Sequence, residues 1–222
     1  TDVQMDQSWA NQAALMDPAI VEEINGIADG SGVDLTLLRR AHVVFMRESA
    51  TTWGGAAMAA WRKQTSNAAT LHAVTLNGPT LTSRSWTVGS ATRYPQDYGC
   101  GVVYIPETGV PHALLTFTGL AIGRTGVNLG GISFSETIDS GSTDLDLSKL
   151  NFAFTARELL GTALNLEEAI DFFRVPTHYP QRAHYFVLAD GRNYQRGAVL
   201  RVTPSGLQSV QYNQASLFSN IT

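Results

Sequence analysis

Residues 119–137 read GLAIGRTGVNLGGISFSET, and this stretch decides the fold. Glycines recur along it, and Asn128 stands between Gly126 and a Gly-Gly pair, in a context where Asn tolerates the positive φ of a tight turn. A run of small and β-branched residues follows from Gly131 to Ile138. The pattern predicts a glycine-rich hairpin that leads into a strand over 131–138.

Working outward, short runs of β-branched or small residues separated by turn signals predict further strands on both sides. They cover residues 51–61, 69–76, 80–87, 101–106, 111–118, 184–189, 198–202 and 207–212. The Asn77-Gly78 pair between two of these runs is a strong hairpin signal, because both residues accept the positive φ angles of a two-residue turn.

Helical spacing appears in two other parts of the chain. Asp17 is a capping residue before Pro18, and apolar residues then recur at helical spacing up to the glycines at 30 and 32, which predicts a helix over 18–28. A second helix follows with Asp34 as its cap, and two more are predicted over 152–164 and 166–173. The order is two helices, six strands, two helices and three strands, which favours an α+β fold of stacked, mainly antiparallel sheets with helices outside.

Composition limits the function classes. The 222 residues are 44% hydrophobic with a formal charge of −4, which indicates one globular domain over 1–222 and excludes disorder, collagen and coiled coil. No basic stripe is present to bind nucleic acid, and no apolar run approaches the roughly 18 residues that would cross a membrane. The single cysteine, Cys100, leaves the compartment undetermined.

Motifs for phosphate binding, zinc binding and a serine nucleophile elbow are absent from the sequence. The five histidines lie far apart and without ligand spacing, so we expect no metal site. Cys100 has no fixed base beside it in the sequence and is expected to be a small strand residue.

Three further stretches belong with the hairpin. They read GIADGSGV at 26–33, ESATTW at 48–53 and LTSRSWT at 81–87. Together with 119–134, the chain resembles the N-terminal-nucleophile hydrolases of the acyl-CoA:isopenicillin N acyltransferase-like group, which are related to choloylglycine hydrolases and penicillin V acylases. The motifs cover residues 20–138, and the remainder is similar only in element order.

The resemblance implies an αββα four-layer sandwich made as a precursor that cuts itself. Residues 1–49 would be the precursor segment and 50–222 the nucleophile-bearing segment. In the family a cysteine at the new N-terminus supplies both the thiol nucleophile and, through its α-amine, the base. The implied substrates are small molecules with linear, non-peptide amide bonds, and the implied reaction is hydrolysis or acyl transfer without a cofactor.

This sequence departs from the family pattern at its centre, because the nucleophile position corresponds to Ala50, which has no attacking atom. Three explanations stay open. The residue is a deliberate change of cysteine to alanine, the chain is a natural pseudoenzyme, or the register is shifted and Ser49, Thr51 or Thr52 is active. With Ala50 in place we expect the bond after Ser49 to be intact and residues 1–49 to cover the pocket.

Other catalytic positions follow from the same resemblance. Arg84 is assigned to the active site, with pairing to a surface carboxylate as the alternative. Thr87 stands where the family has Asp, and Thr137 stands where it has the oxyanion-binding Asn; threonine can still donate a hydrogen bond but carries no charge. We expect Ala50, Arg84 and Thr87 to converge.

Four residues are predicted to contact substrate, each with an alternative. Thr51 and Trp53 follow the nucleophile position, and Trp86 lies beside Arg84. Tryptophans on strands are more often core residues, and Asn128 fits a turn role better than a catalytic one. The prediction is therefore an inactive, uncleaved amide hydrolase or acyltransferase, and a non-catalytic binding domain is the alternative. Homo-oligomerisation stays open, and substrate identity is not encoded in the motifs.

Overall fold

A computed structural model describes residues 1–46, 69–73, 81–85, 99–123, 125–139, 142–192 and 196–212. The helices are α1 (Asp2–Ala13), α2 (Pro18–Ser31), α3 (Leu35–Met46), α4 (Phe152–Thr162) and α5 (Leu166–Phe172), with a short 3₁₀ helix at Pro176–His178. The strands are β1 (Ala69–Ala73), β2 (Leu81–Ser85), β3 (Gly99–Tyr104), β4 (His112–Phe117), β5 (Thr125–Asn128), β6 (Ile132–Ile138), β7 (His184–Asp190), β8 (Arg196–Thr203) and β9 (Gly206–Tyr212).

The N-terminal helices begin where local chemistry predicts. The Asp17 carboxylate accepts a hydrogen bond from the Ala19 amide at 2.9 Å, and Pro18 opens α2. The helix continues through Gly30 and ends at Gly32, whose φ of 71° closes it in the left-handed conformation. In the same way the Asp34 carboxylate accepts from the Leu37 amide at 2.9 Å at the start of α3.

Seven strands form one antiparallel sheet in which spatial order equals chain order, β3-β4-β5-β6-β7-β8-β9. The predicted hairpin of residues 119–137 is confirmed as β5, a turn and β6, with Thr125 opposite Ser135 and Val127 opposite Ser133. Gly131 closes this turn with a φ of 92°. β6 pairs with β5 on one side and with β7 on the other, so neither of its edges is free.

The remaining two strands form a second antiparallel sheet, in which Arg84 of β2 lies opposite Thr70 of β1. β1 lies against β6 and β7, and β2 lies against β6. Because both edges of β6 are occupied, the small sheet must cover a face of the large one. The opposite face is covered by α4, against β4, β5 and β6, and by α5, against β7 and β8.

The main core lies between the large sheet and α4 and α5. Fully buried aromatic and aliphatic side chains from both layers meet there, among them Phe134, Phe186, Leu188, Leu200, Phe154, Leu159, Leu160 and Phe173. Gly126 allows α4 to approach closely, because a Cβ there would stand 2.4 Å from Leu160 Cδ1 and 2.6 Å from the Ala113 carbonyl oxygen. The glycine of the hairpin motif therefore serves packing between helix and sheet.

The predicted α+β class with stacked antiparallel sheets and helices outside is confirmed. Three elements were not predicted from the sequence: α1, the short 3₁₀ helix and, as a separate strand within the predicted hairpin, the four-residue β5. The strand predicted over 51–61 lies outside the described residues. Among the described residues, no helix has the length and apolar character needed to span a bilayer.

Candidate functional site

The two faces of β6 have different chemistry. Gly126, which packs under α4, pairs with Phe134, so the positions of Ile132, Phe134 and Glu136 face the helices. The alternate positions, 133, 135 and 137, therefore face the small sheet. Among the described side chains, this inter-sheet face of β6 carries Ser133 and Ser135.

Two predicted catalytic positions are brought onto strands that lie against each other. Arg84 is on β2, and Thr137 is on β6, opposite Tyr185 of β7. β2 covers the face of β6 that contains position 137. β2 and β6 thus border one inter-sheet space, and a site shared by Arg84 and Thr137 stays a prediction.

Hydroxyl groups that the sequence reasoning missed line the same space. Ser135 is fully buried, and its Oγ lies 3.1 Å from Thr125 Oγ1 on the neighbouring strand. Each hydroxyl can donate one hydrogen bond and accept others, so this pair offers polar groups inside the sandwich. The signal was present in the alternation of Ser133 and Ser135 with Phe134, which places both serines on the face of Thr137.

Several predicted site residues lie outside the described residues. These are Ala50, Thr51, Trp53, Trp86 and Thr87. The predicted convergence of Ala50, Arg84 and Thr87 stays a prediction, as does the intact bond after Ser49.

Asn128 is described in full, and its side chain is engaged within the protein. The side-chain amide donates to the carbonyl oxygens of Leu160, at 2.9 Å, and Ala163, at 2.6 Å. Its oxygen accepts from the Ile132 amide at 2.9 Å. Asn128 also pairs with His112 on the helix side of the sheet, with 5% of its surface exposed. This geometry favours the turn role over the predicted contact with substrate.

A buried acidic and basic pair lies on the helix side of β6. His184 Nδ1 is 2.9 Å from Glu136 Oε2, and the two residues are 2% and 1% exposed. The His184 ring lies 4.3 Å from the ring of Phe152 at the start of α4. Since Glu136 precedes Thr137, this pair ties the end of β6 that contains the predicted oxyanion position to β7 and α4.

The N-terminal segment is attached to the sheet and to α4 by polar contacts. Arg157 forms an ion pair with Glu23 of α2 and lies 4.2 Å from the ring centroid of Tyr104. The Tyr104 hydroxyl donates to Glu23 at 3.1 Å, and burial raises the pKa of Tyr104 to about 12. Gln12 of α1 adds bonds to the Lys149 carbonyl, at 3.1 Å, and the Asn151 amide, at 2.8 Å.

An open groove of about 430 Å³ lies between Tyr179 and β9, lined by Arg174 and residues 205–210, and it contains none of the predicted site residues. In the described part of the chain, no cluster of three or more His, Cys, Asp and Glu side chains could hold a metal ion. Cys100 is a half-buried free thiol on β3.

The architecture matches that of a solved hydrolase. An ortholog of N-acylethanolamine-hydrolyzing acid amidase from Caenorhabditis elegans superposes with a TM-score of 0.51 at 19% sequence identity, over 68% of this chain and 65% of that chain. The chain has an N-terminal-nucleophile hydrolase fold. It spans slightly less than two thirds of that hydrolase.

Two other solved structures are similar at lower TM-scores. One is a mutant conjugated bile acid hydrolase from Clostridium perfringens, with a TM-score of 0.44 at 13% identity over 67% of this chain and 51% of that chain. The other is penicillin V acylase from Agrobacterium tumefaciens, with a TM-score of 0.38 at 14% identity over 64% of this chain and 38% of that chain. No protein-family model and no curated protein sequence matches the chain. The N-terminal-nucleophile hydrolase fold is therefore recognised from motifs and architecture together.

Proposed function

We propose that this chain is the unprocessed form of an amide hydrolase or acyltransferase that acts on linear, non-peptide C–N bonds, with Ala50 at the position of the nucleophile. The observation that carries the proposal is the packing of β2, which contains Arg84, over the face of β6 that contains position 137. This packing supports a site between the two sheets, where the buried Ser135 hydroxyl lies on the same face of β6.

The proposed reaction needs a thiol at position 50. The thiol first attacks the carbonyl carbon of Ser49, and the acyl group moves from nitrogen to sulfur as the C–N bond breaks. Water then hydrolyses the thioester, which leaves a carboxylate on Ser49 and a free α-amine on residue 50. In turnover the same thiol attacks the substrate amide, the amine leaves with a proton from the α-ammonium group, and water or a second amine resolves the acyl-enzyme.

Each neighbouring group has a role in this proposal. The Arg84 guanidinium would bind a substrate carbonyl or carboxylate by paired hydrogen bonds. Thr87 and Thr137 would orient the nucleophile and the developing oxyanion through hydroxyl groups. Thr51, Trp53 and Trp86 would contact the substrate.

Restoring the thiol tests the proposal. Ala50→Cys should convert the purified chain into fragments 1–49 and 50–222 without added protease. Because Thr87 and Thr137 replace the family's Asp and Asn, we expect processing to be about tens- to hundreds-fold slower than with the full residue set. Denaturing electrophoresis, intact mass and N-terminal sequencing measure the cut.

Two controls locate the reactive position. The parent chain with Ala50 should stay in one piece. Thr52→Cys, with Ala50 retained, moves the thiol two residues along and should also stay uncut; cleavage before residue 52 would show that the register is shifted. Cleavage of Ala50→Cys at another bond would contradict the proposed site.

A non-catalytic binding domain is the second candidate, and the residues at positions 50 and 87 favour it. It predicts a folded Ala50→Cys protein that remains intact for days and does not turn over chromogenic acyl amides. If calorimetry shows that the uncut chain binds such an amide, this would support a domain that retains the binding site but does not catalyse the reaction.

A further inference from the structure

His42 lies fully buried in α3, with both ring nitrogens engaged. Nδ1 is 2.9 Å from the carbonyl oxygen of Leu38 in the same helix, and Nε2 is 3.0 Å from the backbone amide nitrogen of Ala121. A carbonyl oxygen only accepts hydrogen bonds and an amide N–H only donates them. The ring must therefore be neutral, with its hydrogen on Nδ1 and its lone pair on Nε2.

The bond from Ala121 attaches α3 to the sheet. Ala121 lies in the loop between β4 and β5 and is fully buried, and its carbonyl oxygen accepts from Arg157 of α4 at 2.8 Å. The ring of Trp9 from α1 lies edge-on to His42 at 6.2 Å. The imidazole is thus enclosed by α1, α3 and the loop.

A proton on Nε2 is incompatible with this arrangement. It would point an N–H group at the Ala121 N–H and would bury a charge in an apolar setting. Burial lowers the pKa of His42, while the Leu38 carbonyl and the Glu23 carboxylate act in the opposite direction. The surrounding helices carry charged groups of both signs, which are Asp2 and Asp6 of α1, Glu22, Glu23 and Asp29 of α2, Arg39 and Arg40 of α3, and Arg157 and Glu158 of α4.

We propose that His42 is an acid-sensitive latch whose protonation detaches α3 from the loop at Ala121 while α2 stays docked. α3 ends at Met46, close in sequence to the bond between Ser49 and Ala50. A role for the latch in the cleavage between residues 49 and 50 rests on the proposed function. The latch itself needs no thiol and is testable on the uncut chain.

The contacts of α2 respond to acid in a different way. Glu158 of α4 accepts a hydrogen bond from the Asp17 amide at the start of α2, and burial raises the pKa of Glu158 to about 7. Acidification therefore neutralises this carboxyl beside Asp17 and removes a repulsion between like charges. Glu23 adds the ion pair with Arg157 and the bond from Tyr104. Mild acid should weaken the docking of α3 selectively.

Amide hydrogen exchange on the full chain tests the latch. The exchange rates of the backbone amides in α3 and in α2 are compared at about pH 7.5 and pH 5, after correction for the pH dependence of intrinsic amide exchange. Local opening of α3 should increase about thirtyfold, because a detached histidine with a pKa of about 6.5 takes up a proton that the docked ring excludes. Opening of α2 should not increase.

Two variants complete the experiment. In His42→Gln the side-chain oxygen can still accept from the Ala121 amide but does not titrate, so acid should no longer open α3. His178→Gln is the matched control, because His178 is only half-buried beside Phe172. This variant should keep the parent's acid response.

Equal acid responses of α3 in the parent and in His42→Gln would overturn the latch, as would equal opening of α2 and α3. If His42→Gln does not fold, NMR titration of the histidine rings in the parent decides. A His42 ring that titrates near pH 6.5 while the α3 amides stay protected overturns the proposal; a ring that gains its proton only as these amides open supports it. Neither result depends on whether Ala50→Cys cuts itself.

Discussion

Replacing Asn128 with alanine separates its structural role from a role in substrate binding. The change removes three hydrogen bonds and leaves the Ile132 amide and the carbonyl oxygens of Leu160 and Ala163 without this partner. A net contribution of about 1 kcal/mol for each bond predicts a loss of about 3 kcal/mol in the free energy of unfolding. A loss of this size is a large share of the stability of an ordinary domain.

Urea unfolding at about 25 °C measures the effect. Asn128→Ala should lower the midpoint with little change in the slope. The control is Asn11→Ala, since the Asn11 side chain accepts from Gln7 in an exposed pair and its loss should change stability by less than about 0.5 kcal/mol. Asn128→Asp should be at least as destabilising near neutral pH, because a carboxylate would face two carbonyl oxygens. Loss of less than about 1 kcal/mol in Asn128→Ala would refute the structural assignment.

Three further predictions concern stability. Gly126→Ala should cost about 2–3 kcal/mol through the clash with Leu160. Gly101→Ala should be nearly neutral in the same urea assay, because its Cβ would lie 3.9 Å from Leu115, at an ordinary contact distance. Glu158 keeps its proton to a higher pH in the folded state than in the unfolded chain, so it favours folding below about pH 4.5 and this contribution is lost as pH rises through about 7. Glu158→Gln should remove this loss of stability with rising pH, which is at most ~1 kcal/mol per pH unit after allowance for the partial exposure of Glu158. A pH profile of stability that is unchanged in the variant would contradict the raised pKa. Glu136→Ala should cost about 3 kcal/mol, because it leaves the His184 ring buried beside a gap. Glu136→Gln should cost less, because its amide oxygen can still accept the hydrogen bond from His184. Equal losses of stability on thermal unfolding would argue against this hydrogen bond.

Local sequence rules predicted the elements whose ends are chemically marked. Asp17 and Pro18 marked the start of α2, and the glycine-rich motif marked the hairpin of β5 and β6. Helix α1 was missed because few of its residues are buried. Tertiary contacts hold it, with Trp9 beside His42 and Asp2 and Asp6 paired with Arg40. Within that hairpin β5 was not predicted as a separate strand, because four residues with a glycine and an asparagine carry little strand propensity.

The candidate site was predictable only in part. Motif resemblance indicated Arg84 and Thr137, whose strands β2 and β6 lie against each other, and a site that the two residues share stays a prediction. The hydroxyl pair of Thr125 and Ser135 depends on strand register, which period-two alternation indicates only after the strand partners are known. The tautomer of His42 was unpredictable, because its partner is a backbone amide 79 residues away.

The order of strands in the large sheet has a consequence for how the chain acquires its structure. Within β3–β6 and within β7–β9 each strand pairs with the next along the chain, so both groups can assemble through short connections. The pairing of β6 with β7 must instead close a long loop that contains α4 and α5, at a cost in chain entropy. We expect this joining to be the slow step of folding. Glu136 and His184 lie on opposite sides of that seam, so their contact would form only when the two halves meet.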